Sequence, residues 1–234
     1  MTSEKMTFSV NRTARLAGWL YLALIPFSVL GFFYVPFVLI VPGDAAATSR
    51  NILASELLFR TGTVSWLVGH IILILLALVL YRLFKPVNKD HAVLMVVLAL
   101  LSVPIVFLNE VNSLAALHLL KRSPSDTQVH AQVLLFLDMR QSGILFAQVF
   151  FGLWLFPLGL LMYRSGFLPR WLGVLMLIAA AAYLMDAITQ LLFPGFPTIS
   201  QFTFIGELLL PLWLVIKGVN VERWRQLTPE AGES

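Results

Sequence analysis

Long apolar stretches separated by short polar segments dominate the chain. Six of them are close to or above the ~20 residues that an α-helix needs to cross the hydrocarbon core of a bilayer. They cover residues 14–40, 61–84, 91–120, 141–163, 168–193 and 198–218. The third is longer than a span requires, so we expect it to tilt, protrude or kink near Pro104. The pattern therefore predicts an all-α, polytopic membrane protein with six transmembrane helices.

Two of the polar connections carry helix signals of their own. Asp44 is placed to cap a helix that runs to about Arg60, with Gly62 able to end it. Ser123 precedes Pro124, a favourable pair for the N-cap and the first position of a second helix. Apolar residues recur at helical spacing in both segments, so we expect two short helices along the outer interface.

Composition supports a membrane protein and excludes several other classes. The 234 residues are 59% hydrophobic and only 12% charged, whereas soluble domains average about 25% charged residues. The net charge of +4 does not indicate nucleic-acid binding, because the basic residues lie at the ends of apolar stretches and form no continuous stripe. Cysteine is absent, which excludes disulfides and thiolate chemistry. Residues 1–234 are predicted to form a single integral-membrane domain whose partner is the lipid bilayer.

The distribution of Lys and Arg predicts the orientation of the chain. Eleven of the sixteen basic residues lie on the side that also holds both termini: Lys5, Arg12, Arg15, Arg82, Lys85, Lys89, Arg164, Arg170, Lys217, Arg223 and Arg225. The remaining five lie on the opposite side: Arg50, Arg60, Lys121, Arg122 and Arg140. By the positive-inside rule, both termini are expected in the cytoplasm and the protein in the cell membrane.

Three acidic residues interrupt the apolar spans. Glu110, Asp186 and Glu207 lie well inside them, and no basic residue is expected at comparable depth. Carboxylates in hydrocarbon are costly, so they usually face a bundle interior and mark a pathway, a proton site or a ligand site. At 1.5 Å per residue all three lie roughly 10–15 Å below the outer boundary, together with His70 and Gln148. The sequence thus predicts one polar layer in the outer half of the membrane.

Helical spacing gives these residues polar neighbours. Tyr183, Asp186 and Gln190 follow one stripe of the fifth span, while Asn109 and Asn112 flank Glu110 on the third. Such stripes are expected to face protein and not lipid. The candidate ligand- or ion-binding residues are therefore Glu110, Asp186, Glu207, His70, Asn109, Asn112, Gln148, Tyr183 and Gln190.

Three functions are compatible with this layer. The carboxyl groups could be protonated members of a hydrogen-bond network in a structural or partner-binding membrane protein, or they could bind a small ligand, a cation or a proton. An intramembrane metal-dependent hydrolase is the third possibility, although no HExxH motif or other dedicated metal-ligand spacing occurs, and no metal site is assigned. The pattern favours a non-enzymatic protein, leaves catalytic residues and cofactors undefined, and assigns Asp138 and Arg140 to an interfacial charge pair.

Several segments together resemble a known family. They are RLAGWLYL from Arg15, VPGDAAAT from Val41, NILASE from Asn51, LYRLFKPVN from Leu80, LFLD from Leu135, YRSGFLPRWLGVL from Tyr163 and YLMD from Tyr183. In this order they are similar to bacterial multi-pass membrane proteins grouped as the domain of unknown function number 4386. The resemblance implies about six spans in a bacterial membrane. It implies no activity and transfers no catalytic residue.

Overall fold

In the computed structural model, every regular element of the described chain is a helix. The structure describes residues 3–228, with side chains from Val10 onward, and no strand occurs within this range. The helices are α1 (Ser3–Ser28), α2 (Val35–Leu39), α3 (Ala45–Ala54), α4 (Glu56–Phe84), α5 (Lys89–Asn109), α6 (Val111–Arg122), α7 (Thr127–Ser165), α8 (Arg170–Leu192), α9 (Ser200–Thr203), α10 (Ile205–Ile216) and α11 (Val221–Gln226). A π-helical segment, Val29–Tyr34, joins α1 to α2.

Five helical stretches are long and apolar enough to cross a membrane. They are Val10–Leu39, Glu56–Phe84, Lys89–Arg122, Thr127–Ser165 and Arg170–Leu192. Large apolar side chains remain exposed along them, for example Leu57 and Leu108, as expected for surfaces that contact lipid. The last predicted span corresponds to the shorter apolar segment Ser200–Ile216, in which the helix is interrupted at Phe204. These helices confirm an all-α chain of the multi-pass membrane type.

The chain divides into two compact units. The first unit comprises Met1–Leu22, Ile72–Ser102 and Gln148–Ser234, and the second comprises Ala23–Ile71 and Val103–Ala147. The core of the first unit includes fully buried side chains of α4, α5, α7 and α8, such as Leu80, Met95, Leu158 and Met176. In the second unit, α2, α3, α4, α6 and α7 bury one cluster: Val35, Leu39, Ile52, Phe59, Ala116, Leu117, Leu120, Val133 and Leu137.

The third predicted span is interrupted at Glu110 and not at Pro104. Helix α5 continues through Pro104 to Asn109, and α6 begins at Val111. Glu110 has φ −68° and ψ −10°, a local tightening of the turn. Its backbone still donates to the Val106 carbonyl and accepts from Leu114 N–H, so the interruption costs little hydrogen bonding.

The first of the two helices predicted for the outer interface is shorter than expected. The Asp44 Oδ1 atom accepts a hydrogen bond from Ala47 N at 2.8 Å, which confirms the predicted N-cap. The helix ends at Ala54, however, and α4 then runs through Gly62 without a break. Gly62 was expected to end the helix. The absence of a side chain at Gly62 instead allows Val35 to pack closely against α4, because a Cβ atom at this position would lie 2.8 Å from Val35 Cγ2.

The second outer helix is not separate from the fourth span. Helix α7 runs without interruption from Thr127 to Ser165, which at 1.5 Å per residue is about 58 Å. Asp126 caps it by accepting a hydrogen bond from Gln128 N, a role that the sequence had assigned to Ser123. The helix continues because buried apolar positions such as Val133 and Ile144 recur at helical spacing on both sides of the predicted break.

Candidate functional site

The second unit contains a buried ion pair between Glu110 and Arg140. Arg140 Nε lies 2.8 Å from Glu110 Oε1, and the two residues are only 7% and 2% exposed. The same guanidinium directs Nη2 to the Gly31 carbonyl of the π-helical segment at 3.4 Å. The expectation that no base neutralises Glu110 is therefore wrong. Arg140 was also expected to pair with Asp138, which is exposed on α7.

Amide and hydroxyl groups complete this pair. Ser113 Oγ donates to Glu110 Oε2 at 2.8 Å, so both carboxylate oxygens are occupied. Asn109 Nδ2 donates to the Arg140 carbonyl at 2.8 Å. Asn112 in turn donates to Asn109 Oδ1 at 3.2 Å. Gly143 makes this possible, since a Cβ atom there would overlap the Asn109 amide. The geometry is that of a satisfied network, in which the charge of Glu110 is already balanced.

A small cavity lies beside Arg140 in the same unit. It has a volume of about 20 Å³, and its polar lining comes from Thr63, Ser113 and Arg140, with Phe59 among the apolar residues. A buried water needs about 10–15 Å³ and two or more polar partners. The cavity therefore has room for one water molecule and not for an organic ligand.

His70 lies in the second unit and contacts its own helix. Its Nδ1 atom lies 2.9 Å from the Trp66 carbonyl, one turn earlier on α4. The two rings meet edge to face with centroids 4.6 Å apart. Because a carbonyl can only accept, Nδ1 carries the proton of this hydrogen bond. One nitrogen of the predicted ligand residue is thus engaged by the backbone.

The first unit holds Glu207 between two tyrosine hydroxyls. Tyr21 of α1 donates to Glu207 Oε2 at 2.9 Å, and Tyr183 of α8 donates to Oε1 at 3.0 Å. Tyr21 is buried, and its ring lies 6.3 Å from that of Trp154 on α7. Within the described part of the chain, no Lys, Arg or His forms an ion pair with Glu207. This carboxyl group, unlike that of Glu110, is held by neutral donors.

Asp186 has a different environment in the same unit. Its Oδ1 and Oδ2 atoms accept hydrogen bonds from the backbone N–H groups of Ile199 and Ser200, both at 2.8 Å. One turn further along α8, Gln190 donates to the Phe196 carbonyl and accepts from Gly195 N. Asp186 and Gln190 therefore fasten the connection between α8 and α9. The contacts of both side chains indicate a structural role.

The candidate residues thus fall into separate groups. Glu110, Asn109 and Asn112 share one network in the second unit, and Glu207 and Tyr183 share another in the first. Gln148 is half-buried on α7 and belongs to neither group. Across the described residues, no three His, Asp or Glu side chains converge in a way that could hold a metal ion. The single polar layer and its ligand stay predictions.

Sequence reasoning missed two partners, Arg140 and Tyr21. Arg140 continues the buried stripe formed by Val133, Leu137 and Ile144, so helical periodicity carried across the assumed end of the span would have identified it as buried, although not as the partner of Glu110. Tyr21 follows Ala14 and Ala17 on a buried face of α1. A polar residue at the end of such a small-residue stripe indicates a hydrogen bond to a neighbouring helix.

Comparison with known proteins agrees with the resemblance noted in the sequence. The family described as "Domain of unknown function (DUF4386)" matches residues 16–218. An "Uncharacterized protein" from Archaeoglobus fulgidus is 34% identical over 163 residues, which cover 67% of this chain and 85% of that relative. No solved structure matches the chain. From this match over most of its length, the chain belongs to the DUF4386 family.

Proposed function

We propose that this is a non-enzymatic, six-span membrane protein in which Glu207 reversibly binds a proton. The single observation that carries the proposal is the position of the Glu207 carboxyl group between the hydroxyls of Tyr21 and Tyr183. The distribution of basic residues supports cytoplasmic termini, and with that orientation Glu207 would lie in the outer half of the bilayer. A site at this depth would exchange protons with the outer side.

Glu207 is better suited to this role than the other two acids. The carboxylate of Glu110 is balanced by Arg140, and that of Asp186 accepts two backbone hydrogen bonds. Glu207 has only phenol donors among its described partners, and a phenol can donate to a carboxylate or accept from a carboxylic acid. The same pair of hydroxyls can therefore accommodate both protonation states.

A proton also fits the available space better than the other candidate ligands. The cavity beside Arg140 holds one water molecule at most, and a guanidinium next to it disfavours a cation. At Glu207, the two O–H groups already point their hydrogens at the carboxyl oxygens where a cation would bind. The hydrolase alternative needs convergent metal donors, for which the described residues give no support.

Infrared difference spectroscopy during a pH change tests this proposal. The full chain, reconstituted in lipid, is expected to show a protonated-carboxyl C=O band that appears and disappears reversibly. Glu207→Gln should remove that band while leaving the helix content unchanged. Glu222→Gln, which removes an exposed acid of α11, is the matched control and should retain it.

Two further variants test the role of the hydroxyls. Tyr21→Phe and Tyr183→Phe keep the rings and remove one hydrogen bond each, so each is expected to shift the frequency of the Glu207 band. A band that survives Glu207→Gln, or that ignores both Phe variants, would contradict the proposal. If Glu207→Gln mainly lowers thermal stability and the wild-type protein shows no reversible band, Glu207 is a structural residue.

A further inference from the structure

One end of the first unit gathers four segments that are distant in the sequence. Trp224 Nε1 of α11 donates to the Leu83 carbonyl at the end of α4, at 2.9 Å. Asn220 N donates to the Phe167 carbonyl in the α7–α8 turn at 3.0 Å. The next contact is with α1, where Asn11 Oδ1 accepts from Val219 N at 3.2 Å. These bonds fix α1, α4, the α7–α8 turn and α11 at one surface.

Glycine conformations, a hydrogen bond and ring stacking stabilise the turns at this end. Gly166 and Gly218 both adopt a φ of +67°, in the left-handed region that favours glycine. Ser165 Oγ accepts a hydrogen bond from Leu168 N within the α7–α8 turn. The ring of Phe167 stacks on that of Phe84 with centroids 5.5 Å apart. The backbone positions that carry the side chains of these turns are therefore fixed relative to one another.

Each of the four segments contributes exposed basic side chains, and Lys217 at the end of α10 adds one more. The group, which we call the basic surface, consists of Arg12, Arg82, Lys85, Arg164, Arg170, Lys217 and Arg223. No member forms an ion pair with a described acidic residue. Arg170 lies over the ring of Tyr163 at 5.7 Å from its centroid, and Trp171 packs against Trp213 next to it. Aromatic residues of this kind are enriched at the level of lipid headgroups.

We propose that the basic surface binds the phosphate groups of anionic phospholipids. Its charges are concentrated at one end of an apolar helical unit, where headgroups of the adjacent leaflet lie. Each Lys or Arg near an anionic membrane surface adds about 1 kcal/mol of attraction, so several fixed together favour an anionic over a zwitterionic lipid. The proposal rests on the first unit alone and is independent of proton binding at Glu207.

Native mass spectrometry of the full chain in detergent tests lipid preference. Phosphatidylglycerol is expected to remain bound under conditions that remove phosphatidylcholine. Arg164→Gln/Arg223→Gln removes two charges and should weaken phosphatidylglycerol binding about thirtyfold, given the attraction per charge. Arg50→Gln/Arg122→Gln, which removes two exposed arginines of the second unit, is the matched control and should leave binding unchanged.

Glycerol phosphate serves as the soluble competitor. It should fail to displace the lipid, because it lacks the acyl chains that contact the apolar helices. Equal retention of both lipids, or equal loss of binding in the two double variants, would overturn the proposal. Displacement by glycerol phosphate at the concentration of the lipid would also overturn it and would identify the surface as a site for soluble phosphates.

Discussion

The free-energy cost of burying Glu110 depends on the presence of Arg140, and the cost of burying Arg140 depends on Glu110. Removing one partner of a buried pair leaves an uncompensated charge, which typically costs about 3–5 kcal/mol, whereas replacing both by apolar groups is often nearly neutral. We therefore expect Arg140→Leu to lower the free energy of unfolding by about that amount, and Glu110→Leu/Arg140→Leu to restore most of it.

Unfolding of the purified protein in mixed detergent measures these differences. Arg60→Leu is the control, because Arg60 pairs with Glu56 at the surface, with Nε 2.7 Å from Oε1, and exposed pairs contribute little. A double variant as unstable as Arg140→Leu alone would show that the two charges do not depend on each other.

Asp186 is expected to act through the backbone N–H groups that it binds. Asp186→Ala removes both acceptors of the Ile199 and Ser200 amides, and a buried donor left without its acceptor costs about 1–3 kcal/mol. Hydrogen exchange at these two amides should therefore become much faster, while Asp186→Asn, which keeps one acceptor oxygen, should accelerate mainly one. Exchange rates that stay at wild-type values in Asp186→Ala would refute this role.

Helices α7 and α8 approach each other closely at two glycines. A Cβ atom on Gly173 would lie 2.7 Å from Tyr163 N and 2.8 Å from the Gly159 carbonyl. Because these neighbours are backbone atoms, they cannot move aside as a side chain could, and overpacking of this kind costs about 1–3 kcal/mol. Gly173→Ala is expected to destabilise the protein accordingly.

Gly69→Ala is the matched comparison on α4. The added Cβ atom would meet Ser28 Oγ at 3.5 Å, an ordinary contact, and alanine favours a helix by about 1 kcal/mol over glycine. In thermal denaturation in detergent, the Tm of Gly69→Ala should equal or exceed that of the wild type, and the Tm of Gly173→Ala should be clearly lower. The reverse order would contradict the close packing of α7 on α8.

At the level of elements, the sequence was a good guide to helices and a poor one to their ends. Apolar stretches of spanning length became helices, and Asp44 capped α3 as predicted, because both signals are local. The predicted break in the helix before residue 141 was wrong, since polar residues there were taken for the end of a helix although the buried stripe of α7 continues through Arg140.

The partners of the acids could not be predicted for a related reason. Periodicity shows which residues share one face of a helix, but not which helix that face meets. Glu110 meets Arg140 across 30 residues of sequence, and Glu207 meets Tyr21 across 186. Nothing in either local segment encodes such a contact. The acids themselves could be identified from the sequence. The free-energy cost of a carboxyl group inside an apolar span is evident from that one residue, without knowledge of its partners.

At the scale of the whole molecule, the predicted orientation is open to direct measurement. The chain contains no cysteine, so a single introduced cysteine is the one residue of the chain that a maleimide can label. In intact cells, an impermeant maleimide is expected to label Ser125→Cys, in the connection before α7, and to miss Asn88→Cys, between α4 and α5. After the membrane is opened, both should react. The opposite labelling in intact cells would reverse the orientation inferred from the basic residues.

The most direct test of proton binding at Glu207 is a ¹³C NMR titration of the chain labelled at the glutamate carboxyl carbons. Glu207 is one of seven glutamates, and its signal is identified by its loss in Glu207→Gln. We predict that this signal titrates reversibly in lipid and that its midpoint changes when Tyr21→Phe and Tyr183→Phe are combined. A Glu207 signal that stays constant over the pH range in which the protein remains folded would contradict the proposed function.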